Sequence, residues 1–415
     1  MRTKRLAWFC LFLITQLLNH SITRPAEAAR VEERDGVKIV YLEGTPYELG
    51  RQHGELLRNE VRATVEQTLG YFRHYLKIPW VRTKLVNWWL MTAWRQSKPY
   101  IPRGYLEELR GLSEASGVPL KELYRLNAIP DRTYSCANFA AWGRVTANQR
   151  LIHLRNLDWN VRAGIQDHAA VFVVHPSGKH AFINVGWAGF TGVMTGMNDQ
   201  GISVGQVGAE TADATFAGLP IQFMMRRVLE ESDNLSAAEA TVTTARRTVG
   251  INYVIADAEA KDAIVLETTR HYVKRFRAND PAEQHVSYAR PLADAVFRAD
   301  AAVDPVIRER QLASHGNPKH PGLEDPSGSS AYDVRYLGQY AGLMANFGHL
   351  DAENAQAIAR AIAPPSNIQS VIFAWPDLYV ANAQGATPAA RTAYHHLDIE
   401  ELFSAGARPT THDSR

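Results

Sequence analysis

Two patterns of hydrophobic and polar positions divide the chain. From residue 46 to about residue 76, apolar residues recur every three or four positions, which predicts one long amphipathic helix. Thr45, followed by Pro and then Glu48, is a strong helix start, and Gly70 is the expected point of a bend. Three shorter helices follow the first, at 80–97, 102–116 and 119–127. Residues 29–135 are therefore predicted to be mostly helical.

After residue 135 the pattern changes to short apolar runs joined by polar or glycine-containing turns, which is typical of β-hairpins. Because hairpins dominate and βαβ units do not alternate, the sequence predicts the α+β class, with antiparallel sheets covered by helices. The strands are apolar along most of their length, which favours sheets buried on both faces, as in a four-layer αββα sandwich. Hairpins are predicted at 136–143/150–157, 168–175/180–187, 191–197/201–207 and 251–257/262–268, with helices at 219–231, 236–247, 331–345 and 351–363 and a long loop at 304–330.

The first 28 residues have the layout of a secretory signal peptide. A basic start precedes an apolar run from residue 6 to residue 18, and Ala26-Glu27-Ala28 has the small-x-small pattern of a cleavage site. The alternative is an uncleaved N-terminal anchor. The expectation is an exported protein, periplasmic or secreted. No later stretch is long enough to span a membrane.

Charge gives no sign of a polyanionic partner. The chain has a formal net charge of +2 at pH 7, and residues 1–28 hold four basic residues and one acidic residue, so the remainder is close to −1. A nearly neutral chain without a dense basic run does not support nucleic-acid binding.

Cysteine usage focuses attention on one position. The chain has two cysteines, and Cys10 would leave with the signal peptide, so Cys136 could form no internal disulfide in the mature protein. In an oxidising compartment such a cysteine is either a reactive thiol or a buried, inert one. The residues around Cys136 distinguish between these two interpretations.

The first hairpin brings charged residues to this thiol. A turn centred on residues 147–148 places Cys136 opposite Trp159, so Arg155 and Asp158 lie at the same end of the hairpin. Arg155 and Asp158 are three residues apart, and an ideal strand would put them on opposite faces. If both side chains are to reach the thiol, a bulge or a strand end must lie between them. The alternative is a structural ion pair between them that pins the hairpin.

These residues carry a resemblance. Cys136 at the start of a strand, Ala-Ala-Trp-Gly at 140–143 and Arg-Asn-Leu-Asp-Trp at 155–159 resemble the N-terminal-nucleophile (Ntn) hydrolases of the penicillin acyltransferase (peptidase C45) and choloylglycine hydrolase group. The helical start of the chain is similar to the acyltransferase branch. Further similar segments lie at 43–54, 107–111, 195–202 and 333–336. The fold that the resemblance implies is the four-layer sandwich.

The resemblance implies a precursor that cuts itself between Ser135 and Cys136. Residues 29–135 would become a helical alpha chain that stays bound, and residues 136–415 would become the catalytic beta chain. The thiol would attack the preceding carbonyl, and an N-to-S acyl shift would give a thioester that water releases. The new α-amine, with an ordinary pKa of about 7.7–8.0, can act as base for the adjacent thiol.

Supporting roles follow from chemistry and from the resemblance. Arg155 suits stabilisation of a thiolate or binding of a substrate carbonyl, and Asp158 suits holding the α-amine. Arg335 is expected in the pocket if the family pattern carries over, with a surface helix arginine as the alternative. Asn198 is an expected support, or else a plain turn residue. Choloylglycine hydrolases use an asparagine of a Thr-Asn-Ser-Pro segment for the oxyanion; residues 287–291 match that region here and contain no asparagine.

The predicted function is hydrolysis of a linear amide, or transfer of its acyl group, through a thioester acyl-enzyme. The expected partner is a small N-acyl substrate, and the chemistry needs no metal or organic cofactor. One alternative is a phospholipase-B-like or ceramidase-like lipid hydrolase of the same fold, with the tryptophan-rich segment 80–97 lining an acyl pocket. Another is a non-catalytic binding protein with a buried Cys136. A papain-type Cys-His enzyme lacks its sequence context here.

Overall fold

The computed structural model describes residues 29–75, 81–132, 135–286, 289–314, 331–384 and 386–406. The predicted signal peptide at 1–28 lies outside the described residues, so it stays a prediction. None of the described helices is long and apolar enough to cross a membrane.

The first part of the described chain is mostly helical, as predicted. The expected single helix is two helices: it breaks at Leu57, which is buried, and not at Gly70, where no atom lies within 4 Å of the space a side chain would take. Thr45 and Glu48 form the predicted capping box at the start of the first helix. The helices are α1 (Pro46–Leu56), α2 (Arg58–Tyr75), α3 (Arg82–Ser97), α4 (Arg103–Ser116) and α5 (Leu120–Leu126).

The strands form two sheets. Their bounds are β1 (Arg30–Arg34), β2 (Val37–Gly44), β3 (Ser135–Ala141), β4 (Ile152–Asp158), β5 (Ala169–Pro176), β6 (Phe182–Trp187), β7 (Thr195–Asn198), β8 (Ile202–Gly208), β9 (Ile251–Asp257), β10 (Asp262–Thr268), β11 (Val273–Phe276), β12 (Ala295–Arg298), β13 (Asn367–Ala374), β14 (Asp377–Asn382) and β15 (His395–Asp398). One sheet has the order β1-β2-β5-β6-β7-β8-β9-β10-β11, and the other β12-β3-β4-β13-β14-β15. Neighbouring strands are antiparallel apart from the parallel pair of β2 and β5.

The remaining helices lie between and after the hairpins. They are α6 (Ile221–Glu231), α7 (Leu235–Thr244), α8 (Pro305–Ser314), α9 (Ala331–Ala345), α10 (Ala352–Ile362) and α11 (Ile399–Gly406). Two expectations were wrong in detail. Helix α7, expected at 236–247, ends at Thr244 and is capped by Asn234. The start of the predicted 304–330 loop is helix α8, whose first amides donate to Asp304. Residues 315–330 lie outside the described part.

Packing arranges these elements in four layers. Helices α1–α7 bury their apolar faces, including Leu109 and Phe223, against the outer side of the nine-stranded sheet. Between the two sheets, Val171 and Ile183 pack against Val371. Helices α9 and α10 cover the other side of the six-stranded sheet. The predicted α+β fold with an αββα sandwich is confirmed, and β3 and β4 lie near the middle of the smaller sheet.

Candidate active site

The hairpin of β3 and β4 positions the thiol. Cys136 pairs with Leu157, and Asn138 pairs with Arg155, so the register differs by two residues from the expected one, which put Cys136 opposite Trp159. A shift of two residues preserves the face on which each side chain lies, because side chains alternate along a strand. Cys136 and Arg155 therefore share the face that points towards the larger sheet.

Arg155 is the cation next to the sulfur. Its Nη2 lies 3.5 Å from Cys136 Sγ and 3.2 Å from the Gln206 carbonyl oxygen, and its Nη1 donates to Thr195 Oγ1 at 2.9 Å. The side chain is 1% exposed. It passes close to Gly205, where a Cβ atom would lie 2.9 Å from Arg155 Cδ. A glycine at this position of β8 leaves the space that the guanidinium needs to reach the thiol.

Burial and charge act in opposite directions on the thiol. Burial raises the pKa of Cys136, the nearby Asp158 carboxylate adds to this rise, and the guanidinium of Arg155 opposes it. A hydrogen bond from the Asp158 backbone amide and the charge of Arg335 also favour the thiolate. The net pKa stays above the ordinary value, so the thiol in the uncut chain is predominantly protonated at neutral pH.

Asp158 lies at the end of β4 and pairs with Arg335, not with Arg155. Its carboxylate forms an ion pair with Arg335 and accepts a hydrogen bond from Asn367 Nδ2 at 3.2 Å. The strand end required by the three-residue spacing is present, together with an irregular register between β4 and β13 at Asn367. Burial raises the pKa of Asp158 to about 6, and Arg335 opposes the rise. The alternative of an Arg155–Asp158 pair pinning the hairpin is wrong.

Asp300 lies at the backbone nitrogen of Cys136, where Asp158 was expected. The Cys136 N–H donates to Asp300 Oδ1 at 2.9 Å, and Asp300 Oδ2 forms an ion pair with Arg335. Arg335 thus bridges two buried carboxylates, Asp158 and Asp300. The alternative of Arg335 as a surface residue is wrong, since its side chain is only 12% exposed.

An apolar pocket lies next to the strand partner of Cys136. Leu157, which is opposite Cys136 in the hairpin, and Trp159 form part of its wall. Pro130 comes from the helical segment that precedes the predicted cleavage site, so both segments build the pocket. The empty space between its lining atoms is about 420 Å³, which includes open solvent, so the enclosed part is much smaller. The remaining lining residues are Ile165, Asn184, Gly186, Trp187, Phe190, Gly192 and Met194.

Asn198, an expected support, does not join the site. Its amide donates to the carbonyl oxygens of Leu229 and Ser232 and accepts from the amides of Gln200 and Ile202. It therefore fixes the turn between β7 and β8 against the end of α6. The turn interpretation is the one the structure supports.

Two other groups of residues are placed away from the thiol chemistry. His153 is buried between Asn138 and Ser203, and burial lowers its pKa to about 3, so it is a neutral core histidine. In the tryptophan-rich segment, Trp94 is buried against Tyr124, whereas Trp88 is 61% exposed. Neither lines the pocket described above.

The segment expected to match the family's oxyanion loop is described only in part. Residues 287 and 288 lie outside the described part, and the strand that borders β3 is β12. Within the described residues, no group of three or more His, Cys, Asp or Glu side chains is arranged to hold a metal ion.

Several site residues were not found from the sequence. Asp300 and Asn367 approach the hairpin from β12 and β13, and Thr195 orients Arg155 while donating to Gln369 Oε1 at 2.7 Å. Asp300 and Asn367 are far from Cys136 along the chain and stand in no motif, so only the pairing of β12 with β3 and of β13 with β4 would have pointed to them. Thr195 begins the segment 195–202 that contributed to the resemblance, but the resemblance did not indicate its contact with Arg155.

The chain is similar to known proteins along part of its length. The family model described as acyl-coenzyme A:6-aminopenicillanic acid acyl-transferase matches residues 145–287. Protein dcd1A of Dictyostelium discoideum is 25% identical over 298 residues, which cover 65% of this chain and 67% of that protein. N-acylethanolamine-hydrolyzing acid amidase of Rattus norvegicus is 20% identical over 41% of this chain and 49% of that protein.

Among solved structures, the Caenorhabditis elegans ortholog of N-acylethanolamine-hydrolyzing acid amidase has a TM-score of 0.42 at 15% identity, covering 63% of this chain and 100% of that chain. The chain thus spans about two thirds of dcd1A and about half of the rat amidase. The resemblance predicted from the sequence, to Ntn hydrolases of the penicillin acyltransferase and choloylglycine hydrolase group, is confirmed. The predicted enzyme class is amidohydrolases and acyltransferases that act on non-peptide carbon–nitrogen bonds. It is confirmed for the group of proteins to which the chain is similar.

Proposed function

We propose that the chain is an exported, self-processing cysteine hydrolase that cleaves the amide bond of an N-acyl compound with an apolar acyl group. The observation that carries the proposal is the position of Cys136 at the start of β3. There its sulfur lies 3.5 Å from Arg155 and its nitrogen 2.9 Å from Asp300, and its strand partner Leu157 lines an apolar pocket. Cys136 thus has a cation at its sulfur and a carboxylate at its nitrogen, which suits an N-terminal nucleophile.

The first reaction would be the cut that exposes this residue. Cys136 Sγ adds to the carbonyl carbon of Ser135, the C–N bond breaks as the Cys136 nitrogen gains a proton, and water hydrolyses the resulting thioester. The products are a carboxylate at Ser135 and a free α-amine at Cys136. Close to the end of the helical segment, Asp131 is held in place, since its Oδ1 accepts the Ile221 amide at 2.8 Å at the start of α6.

The mature enzyme would then use the same sulfur on its substrate. The α-amine takes the thiol proton, the thiolate attacks the substrate carbonyl, and the amine product leaves with that proton as the C–N bond breaks. Water, or a second amine in acyl transfer, releases the acyl group from sulfur. Arg155 offsets the burial that raises the thiol pKa and so favours the attacking thiolate.

The pocket supports an apolar acyl group. Its walls include Leu157, Trp159 and Phe190. Burial of an alkyl or aryl chain against these side chains would stabilise the bound substrate. The name of the rat relative, N-acylethanolamine-hydrolyzing acid amidase, agrees with an N-acyl amide substrate. The tryptophan-rich helix α3 gives no support to a lipid pocket of its own, since Trp88 faces outwards.

A matched panel of amides tests the proposal. Long-chain fatty acyl amides, phenylacetyl amides, acetyl amides and the corresponding esters are incubated with the purified protein, and hydroxylamine traps any thioester as a hydroxamate. We expect turnover of the apolar amides over the acetyl amide, and an acyl adduct on the peptide that begins at Cys136. Equal turnover by Cys136→Ala protein, or no turnover of any amide, would refute the proposal and favour a binding protein with an inert thiol.

A further inference from the structure

Asp300 makes a contact that the reaction so far leaves without a role. Its Oδ1 accepts the N–H of Cys136 at 2.9 Å, and that nitrogen belongs to the bond expected to break. Asp300 is 3% exposed and follows β12, the neighbour of β3 on the side away from β4. A carboxylate thus faces the reacting nitrogen from the strand opposite to the one that carries Arg155.

Asp300 and Cys136 lie among several charged groups. Arg335 forms an ion pair with Asp300 Oδ2, which leaves Oδ1 for the nitrogen, and it also binds Asp158. The charged groups near Cys136 are Arg155 and Asp158 from β4, Arg335 from α9, and Asp300 itself. A guanidinium shared by two carboxylates favours their charged forms.

The carboxylate is not needed to hold the backbone at this point. The Asp300 carbonyl oxygen accepts a hydrogen bond from Gln311 Nε2 at 2.9 Å, and Gln311 Oε1 accepts the Ala302 amide at 2.8 Å. The end of β12 is also fixed by the buried ion pair of Arg298 with Glu267.

We infer that Asp300 is a catalytic residue that binds the Cys136 nitrogen before and after self-cleavage; the inference rests on the proposed function and deepens it. In the precursor the carboxylate orients the scissile amide and stabilises the positive charge that develops as the departing nitrogen gains its proton. In the mature enzyme it holds the α-amine beside the sulfur. Because a carboxylate stabilises an ammonium group, Asp300 keeps the α-amine pKa higher than its other surroundings would.

Asp300→Asn tests the inference, because asparagine keeps the shape and the acceptor oxygen but removes the charge. We expect self-cleavage, followed by denaturing mass spectrometry, to be at least about ten-fold slower. In the cleaved protein the α-amine pKa should fall, so the rising limb of kcat/KM against pH should move to lower pH by about one unit. A purely structural role would not move this limb.

The matched control is Asp304→Asn, a second buried aspartate of the same segment that caps α8 through the amides of Val306 and Ile307. Asparagine caps equally well, so cleavage and the pH limb should match wild type. If Asp300→Asn is not recovered folded, Asp300→Ser removes the same charge, leaves room for water and carries the same expectations.

The outcomes separate the two claims. Wild-type protein that cleaves itself and hydrolyses amides, with Asp300 variants that cleave at the same rate and keep the same limb, would overturn the role of Asp300 alone. Wild-type protein that neither cleaves nor turns over any amide would overturn the proposed function and this inference with it.

Discussion

The thiol of Cys136 lies among several charged groups, of which Arg155 most favours the thiolate. Burial raises its pKa, and Arg155, whose Nη2 lies 3.5 Å away, is the largest opposing influence. Arg155 is itself oriented by Thr195, which Gln369 holds from β13. The reactivity of the thiol therefore depends on a guanidinium whose position is set by both sheets.

Arg155→Met should raise the thiol pKa, because the charge that favours the thiolate is lost. The midpoint of iodoacetamide alkylation against pH should move upwards, and amide turnover at pH 7 should fall by roughly ten-fold or more. Arg150→Met, in the exposed turn of the same hairpin, should leave both unchanged. An alkylation midpoint that does not move in Arg155→Met would contradict the assigned role of Arg155.

At this scale the sequence predicted the residues that lie close together along the chain. Cys136, Arg155 and Asp158 belong to one hairpin, and Arg335 came from a family resemblance. Asp300 and Asn367 were missed because they reach the site through strand pairings that span more than 150 residues. Local patterns do not encode such pairings, so no spacing rule could have found them.

The helical segment depends on two glycines at a helix crossing. A Cβ atom on Gly50 of α1 would lie 1.8 Å from the Glu108 carbonyl oxygen, and one on Gly111 of α4 would lie 2.2 Å from the Tyr47 carbonyl oxygen. The glycine-containing segments 43–54 and 107–111, which contributed to the family resemblance, are thus the contact surface between α1 and α4. Their physical role is close packing of two backbones.

Gly111→Ala should force these helices apart and lower the melting temperature, since a backbone atom cannot yield as a side chain can. Overpacking of this kind costs about 1–3 kcal/mol or more. Gly70→Ala, inside α2 with no atom within 4 Å, should instead be neutral or stabilising by up to about 1 kcal/mol. Equal melting temperatures for the two variants, measured by circular dichroism, would contradict this account of the crossing.

The bounds and the register of the elements were predicted with unequal accuracy. The strand pair 251–257/262–268 was predicted to the residue, and the register of β3 and β4 was wrong by two. The expected long helix is split at Leu57. The break was not predicted, because the apolar spacing continues through it. Strands β1, β11, β12 and β15 were missed, since each is only four or five residues long.

In the whole molecule, a buried ion network joins the helical segment to the catalytic segment. Arg226 of α6 binds Glu108 of α4 at 2.7 Å and Glu230 at 2.7 Å, and Tyr105 donates to Glu230 at 2.8 Å. Arg226, Glu108 and Glu230 are each at most 4% exposed. This network would hold the two pieces together after a cut at Cys136, and Pro130 would then still line the pocket.

Arg226→Met should leave Glu108 buried without its cation, while Glu230 keeps its pair with Lys179. Loss of one partner from a buried pair costs about 3–5 kcal/mol. We expect a lower melting temperature and, in cleaved protein, loss of the smaller piece on size-exclusion chromatography. Arg227→Met removes only an exposed pair with Glu231, for which about 0–1 kcal/mol is expected. Retention of both pieces with unchanged stability in Arg226→Met would show that other contacts join the segments.

The central claim is that Cys136 cuts the chain and becomes its N-terminal nucleophile. The most direct measurement is the intact mass of purified wild-type and Cys136→Ala protein under denaturing conditions. The account predicts two wild-type fragments that meet between Ser135 and Cys136, the larger beginning at Cys136, and one uncut chain for Cys136→Ala. An uncut wild type, or a Cys136→Ala protein cut at the same bond, would contradict it.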